Sequence, residues 1–347
     1  MTARTPEDLL AAAPAVLGFW PDHCVVLMTF GARHPFHART DLPPAAAQTP
    51  AVQRAVGERL LGPARRHGAT HVVLLYYGAD RDAETLHRHL RRVCRRSGLG
   101  VILALHADGT HYRDLDEPPP ESRPPRPHRR RHHPSRKTSR QAARQARRHP
   151  YDVSTHPFVL EAIVSGRLAH RSRAELAASI DQDPVAAAAT AAALGEGGVA
   201  DAGVPATGRA IRDAGEWVLA TVRRLLAAGT EPTPAELARL LWLMQSPRVR
   251  DAAWSELDRA SADAHVRLWS GAVRRAPDTL VAAPAALLGW SAWQAGDGAL
   301  AWIAVDRCLA ASPGYRLAEH LGAILQQALP PEHWTGSGRW DRGLPAH

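Results

Sequence analysis

The 347-residue chain is poor in cysteine, phenylalanine and tyrosine and holds a single lysine, Lys137. Its three cysteines, Cys24, Cys94 and Cys308, are far apart, odd in number and in no C-x-x-C arrangement, so neither a disulfide framework nor a zinc site is expected and a reducing compartment fits. No run reaches the ~18 uninterrupted apolar residues of a membrane span. The apolar stretch from Leu9 to Trp20 follows Glu7 and Asp8, is interrupted by Pro14 and has no small-residue cleavage site after it, which argues against a secretory leader. Together these absences predict a cytoplasmic protein with no membrane segment.

Chemical motifs are missing as well. No G-x-G-x-x-G or G-x-x-x-x-G-K-[ST] cradle lies at a strand-to-helix turn, and no G-x-S-x-G, H-E-x-x-H or deaminase pattern occurs. The 19 histidines include the close pairs His34/His37, His87/His89 and His132/His133, none with a Cys or acidic partner at ligand spacing. The sequence therefore names no catalytic residue, metal ligand or cofactor, and an enzyme reading is left without residues to carry it.

What is present is basic charge in one place. Lys plus Arg minus Asp plus Glu is +2 over residues 1–117, +10 over 118–148 and −3 over 149–347. The tract from Pro118 to Arg148 has ten Arg, one Lys, three His, seven Pro and one acid, Glu121, a composition that builds no core and predicts disorder. A GC-rich genome accounts for part of the Arg excess. Within the tract, Arg129, Arg130, Arg131, Arg136, Lys137, Arg140, Arg144, Arg147 and Arg148 are the candidate contacts to nucleic acid. Arg136, Arg140, Arg144 and Arg148 recur every four residues, so a helix formed on binding would present them on a single face. No aromatic residue interrupts the tract, so backbone binding with little sequence preference is expected.

The expected fold is mixed α/β in residues 1–117, a basic Pro/Arg linker over 118–150, an all-α domain over 151–330 with a loop at 195–208, and a flexible tail over 331–347. In the first part, His23–Phe30 reads as a strand and Pro35–Thr40 as its hairpin partner. Thr49 caps a helix that Gly62-Pro63 should stop. His71–Tyr77 reads as a buried strand, Asp80 as the N-cap of a helix ending at Gly98, and Val101–Leu105 as a third strand with a short last one near Tyr112. A strand, helix and strand so closely connected imply a parallel pair in a mixed sheet. Ligands in such sheets favour the carboxyl ends of strands, which makes Asp41, Asp80 and Asp108, with Gly78, the strand-end candidates. The same helix exposes Arg88, Arg92 and Arg95 opposite its apolar stripe, flanked by Arg91 and Arg96, where a phosphate backbone or acidic partner has room to dock.

Several segments carry a resemblance. Pro6–Leu10, Pro14–Pro21, Val25–Leu27, Ala38-Arg-Thr-Asp-Leu-Pro43, Ser165-Gly166, Ser172–Leu176 and the closing Leu287–Leu325 resemble the actinobacterial uncharacterised proteins grouped as domain of unknown function 4192. The resemblance implies a bacterial cytosolic protein with no established activity. Arg39 and Asp41 match its Arg-x-Asp-Leu-Pro pattern, and the resemblance adds Arg39 to Asp41, Asp80 and Asp108 in the candidate strand-end site. Many members place a Cys-rich turn after the last N-terminal strand, where this chain has Asp114–Pro120 and then the tract, so no role of those cysteines carries over.

From His156 onward helix punctuation replaces strand period: Ser172 with Glu175 and Thr233-Pro234 with Glu236 read as capping boxes, and Ser246-Pro247 as another start. Leu288, Gly289, Ala301 and Pro313 sit where a tetratricopeptide unit has its leucine, small residues and proline, which predicts tetratricopeptide-like helix stacking. Trp290, Trp293 and Trp302 are core fillers by default, and partner anchors if exposed. The reading favoured by the sequence is a non-catalytic scaffold binding a protein through the helical half. Nucleic-acid association through residues 118–148 is the alternative, and an enzyme or small-molecule sensor at the strand ends a third.

Overall fold

A computed structural model describes residues 3–117, 147–168, 170–196, 200–201, 203–334, 336 and 338–345. The contact pattern divides the chain into two compact units, residues 1–169 and 170–347.

The first unit is built on a six-stranded mixed sheet with the order β2-β1-β3-β4-β5-β6. Its strands are β1 (Cys24–Phe30), β2 (His37–Asp41), β3 (His71–Tyr77), β4 (Gly100–Ala107), β5 (His111–Asp114) and β6 (His149–Pro150). Only β3 and β4 are parallel, and every other neighbouring pair is antiparallel. The parallel pair is joined by α3 (Asp80–Arg96), as a strand-helix-strand connection requires. Val25, Leu27, Val72, Leu74 and Tyr76 bury one sheet face against Leu60 and Leu61 of α2 (Pro50–Arg66) and Leu86 and Leu90 of α3. The intervening Cys24, Val26, Val73, Leu75 and Tyr77 are buried on the other face, so β1 and β3 read as nearly continuous apolar runs.

Three details depart from the sequence expectation. Helix α2, capped by Thr49 with Pro50 at its first position, runs through Gly62-Pro63 to Arg66. Pro63 forfeits one backbone bond near the helix end, while Leu60, Leu61 and Ala64 hold the helix on the core on either side of it. The N-cap of α3 is Ala79, so the Asp80 carboxylate is not spent on capping. Strand β6 pairs with β5 through His111–Pro150 and Tyr112–His149, which makes the tract an insertion in a hairpin of the first unit and not the connection between units.

Helix α1 (Pro6–Leu17) starts with a Thr5/Asp8 capping box. It is tied by Tyr112, which donates to Glu7 at 2.7 Å, and by His156, which bonds Asp8 at 2.9 Å. Helix α4 (Pro157–Val164) packs on α1, so residues 151–168 belong to the first unit although helical periodicity grouped them with the second.

The second unit is helical among its described residues: α5 (Arg173–Ala178), α6 (Pro184–Glu196), α7 (Gly208–Ala228), α8 (Pro234–Leu243), α9 (Pro247–Ser255), α10 (Ala262–Arg275), α11 (Ala282–Gln294), α12 (Gly298–Ala311) and α13 (Arg316–Gln326). Helices α10 to α13 pack successively, α7 lies on α9 and α6 on α8. Thr233 and Glu236 form the expected box, whereas Ser246 makes no side-chain cap bond. Gly289 lets α11 approach α12: a Cβ there would stand 3.4 Å from the Ala301 carbonyl and 2.9 Å from Leu321. The described part of the closing segment is packed instead of free. Trp334 meets Trp254 and Trp290 with ring centroids 5.0 and 4.7 Å apart, and Trp340 covers Gly215 so closely that a Cβ there would lie 2.2 Å from its ring. Arg212 of α7 donates to the carbonyls of Leu344 and Pro345. Among the described residues no helix is long and apolar enough to cross a membrane.

Candidate functional site

Parallel pairing brings the carboxyl ends of β3 and β4 together, with Tyr77 opposite Ala107. The antiparallel β1 and β2 put Cys24 and Asp41 at the same end. All four sequence-nominated strand-end residues therefore lie toward one end of the sheet, but their side chains divide among three sets of bonds.

Arg39 and Asp41 pair with each other at 2.6 Å on the outer strand β2, where Asp41 is exposed. Asp108 caps the β4–β5 turn by accepting from the backbone N–H of Thr110 and His111, and it ion-pairs with Arg148. Asp80 belongs to the third and most buried set. The Gly78 backbone at φ +126° turns the chain out of β3, and its carbonyl accepts from His106 Nε2 at 2.8 Å. The other ring nitrogen of His106 stands 3.0 Å from Asp80, so both ring nitrogens face oxygen atoms. Arg113 adds a forked contact to Asp80, Nε at 3.0 Å and Nη2 at 2.6 Å, and Nη2 also reaches Glu84 at 2.8 Å. Hydrogen bonding by His106 holds the Asp80 carboxyl well below the usual carboxylate range, and Arg113 adds to it.

About two helical turns along α3 from Asp80, His87 bridges the buried Tyr76 hydroxyl at 3.2 Å and Asp116 at 3.0 Å. Burial keeps its pKa below the ordinary histidine value despite the carboxylate. Asp116 also holds Arg91 at 3.0 Å. Beyond it the chain enters the tract and re-enters the described residues at Arg147, whose guanidinium donates to the Glu117 carbonyl at 3.0 Å. Both ends of the insertion are therefore anchored beside α3, at the base of its run of five arginines between positions 88 and 96.

Arg129, Arg130, Arg131, Arg136, Lys137, Arg140 and Arg144 lie outside the described residues. Of the other candidates, Trp290 and Trp293 are buried and bonded to the carbonyls of Leu317 and Leu329, and Trp302 is half-buried. The cysteine thiols are buried, and burial pushes Cys24 and Cys94 up to about 11 and Cys308 up to about 12, which keeps them protonated at neutral pH. His106, Arg113, Glu84 and Asp116 escaped sequence reasoning, and His87 entered it only as half of the pair His87/His89. A polar residue directly after the apolar run Val101–Leu105 was the one available signal, and it does not name its partner.

A family model described as Domain of unknown function (DUF4192) matches residues 6–332. No curated protein and no solved structure matches. The chain belongs to that family.

Proposed function

Starting from membership in a family whose function is unknown, we propose that this protein binds the phosphate backbone of nucleic acid through residues 118–148, without a catalytic step of its own. The supporting observation is the return of the insertion to its starting point. Pairing of β5 with β6 and the Arg147 to Glu117 bond gather both ends of a +10 segment beside the arginines of α3. Charge of one sign concentrated in one segment of an otherwise nearly neutral chain attracts a polyanion and releases its counterions.

The scaffold reading, with a tetratricopeptide-like stack holding a protein partner, has less support because Trp290 and Trp293 are used in the core. The strand-end sensor or enzyme reading is weakened by the distribution of Arg39, Asp41, Asp80 and Asp108 among separate, internally paired sets.

The test replaces residues 118–146 by a short Gly-Ser connection that leaves β5 and β6 in place. Fluorescence anisotropy with a labelled oligonucleotide at low salt should then weaken by at least about tenfold, a loss expected when several phosphate contacts are removed. Unchanged affinity in a variant with unchanged circular dichroism overturns the proposal.

A further inference from the structure

We infer that the folded part of the first unit carries its own docking surface for a single nucleic-acid strand, a row formed by Arg88, Arg92 and Arg96 along α3 and completed by Arg54 of α2. This rests on the reading above and adds a fixed contact on folded residues to the one assigned to 118–148.

The row follows from helix geometry. Ala83, Leu86, His87, Leu90 and Cys94 form the buried stripe of α3, which turns positions 88, 92 and 96 outward. Four residues at 1.5 Å rise set these side chains about 6 Å apart along the axis, on the scale of successive phosphates in one strand. All three are exposed, as is Arg54. Like charges four residues apart destabilise a helix, and no acid lies between positions 88 and 96 to offset them. The acids of α3, Asp80, Asp82 and Glu84, lie in its first two turns, where they suit the helix dipole and bound the row at that end.

Arg54 joins the row because α2 lies close at this point. A Cβ on Gly57 would stand 3.5 Å from His89 Nε2, so the His89 ring fills the space between the helices. Burial, with Arg92, Arg54 and Arg96 nearby, holds the His89 pKa below its ordinary value, which keeps the ring from competing as a further cation. Other arginines here are engaged: Arg91 by Asp116 and Arg65 by Glu58. Arg54, Arg92 and Arg96 have no acidic partner among the described residues, and Arg88 bonds the Glu84 carbonyl and the Thr85 hydroxyl of its own helix.

The chemistry favours phosphodiester oxygens. A guanidinium fork matches them in pairs, and a straight row follows one chain of phosphates better than the two diverging chains of a duplex. Helix α3 contains no Phe, Tyr or Trp, so bases are not stacked and sequence preference is low.

The experiment uses the chain with residues 118–146 replaced by the Gly-Ser connection, and compares it with the same chain carrying R88Q, R92Q and R96Q. Glutamine keeps helix propensity close to that of arginine, and circular dichroism checks the fold. Ligands are a labelled oligothymidine, a duplex of equal length and poly-glutamate. The expected result is salt-dependent binding of oligothymidine by the parent, weakened at least about tenfold in the triple variant, with the log–log salt slope shallower by about 2 for three lost contacts at ~0.7 each. R54Q should weaken it further, and R59Q with R66Q should leave it unchanged. The inference is overturned by equal affinity of parent and triple variant, by equal loss in R59Q/R66Q, or by duplex or poly-glutamate binding as tightly as oligothymidine. A parent that fails to bind while the full chain binds overturns the inference and leaves the reading of residues 118–148 standing. Absence of binding by the full chain removes both.

Discussion

At the scale of single residues, the first unit depends on acids and histidines that satisfy each other at the sheet end. Asp80 serves His106 and Arg113 together, so Asp80→Asn leaves two nearly buried donors facing a neutral amide. A loss of about 2 kcal/mol at neutral pH is expected, a figure kept modest because the carboxylate is half-exposed and screened by solvent. The sign of the pH dependence follows from the depressed Asp80 pKa: its contribution is complete above the unfolded value of ~3.9 and is lost as pH falls below it. His87 acts in the same direction, since its pKa is also lowered and the unfolded chain takes up its proton first, at ~6.5. The urea midpoint should therefore decline as pH falls below ~6.5 and more steeply below ~4, and Asp80→Asn should flatten the lower part of the curve. The cysteines offer a second check. With Cys24, Cys94 and Cys308 buried and their thiols shifted upward, a thiol reagent at pH 8 should label none of the three until denaturant is added.

At the scale of elements, local patterns announced most of what forms. The run His71–Tyr77 and the Thr49-Pro50 and Thr233-Pro234 starts are visible because their driving forces, burial of a continuous apolar run on both sheet faces and satisfaction of free N–H groups, act over a few positions. The elements that escaped depend on distant partners. A two-residue strand containing Pro150 has no pattern of its own and is defined only by Tyr112 and His111 across the ladder. Helix α2 passes Pro63 because its core face, and not its propensity, decides where it ends. Trp334 and Trp340 looked like tail residues because nothing near them in sequence forms an apolar face; they pack on α9, α11 and α7 instead. Close helix approach gives the prediction at this scale. Gly289→Val would force α11 away from α12 and Leu321, and a loss of roughly 1–3 kcal/mol by overpacking should appear as a lowered thermal midpoint of the second unit.

At the scale of the whole molecule, charge and architecture are distributed unequally. The helical half is slightly acidic and buries three of its nine tryptophans, Trp269, Trp290 and Trp293, while the sheet half hosts the +10 insertion and the α3 arginines. Charge counting alone located the basic segment but described it as a linker between units. Its position within the β5–β6 hairpin could not be seen without the bonds that close it, Arg147 to Glu117 and His149 to Tyr112. The candidate site was legible to a similar degree: Asp80 could be named from its place at a strand end and the α3 arginines from helix periodicity, whereas His106 and Arg113 needed the strand register to bring them together, and Asp116 the fold that sets it on α3. The most direct measurement of the central claim is the salt dependence of oligothymidine binding by the full-length protein. A linear fall of log affinity with log salt, with a slope steeper than about −3 as four or more phosphate contacts require, is the predicted result. A slope near zero, or no binding at low salt, contradicts it.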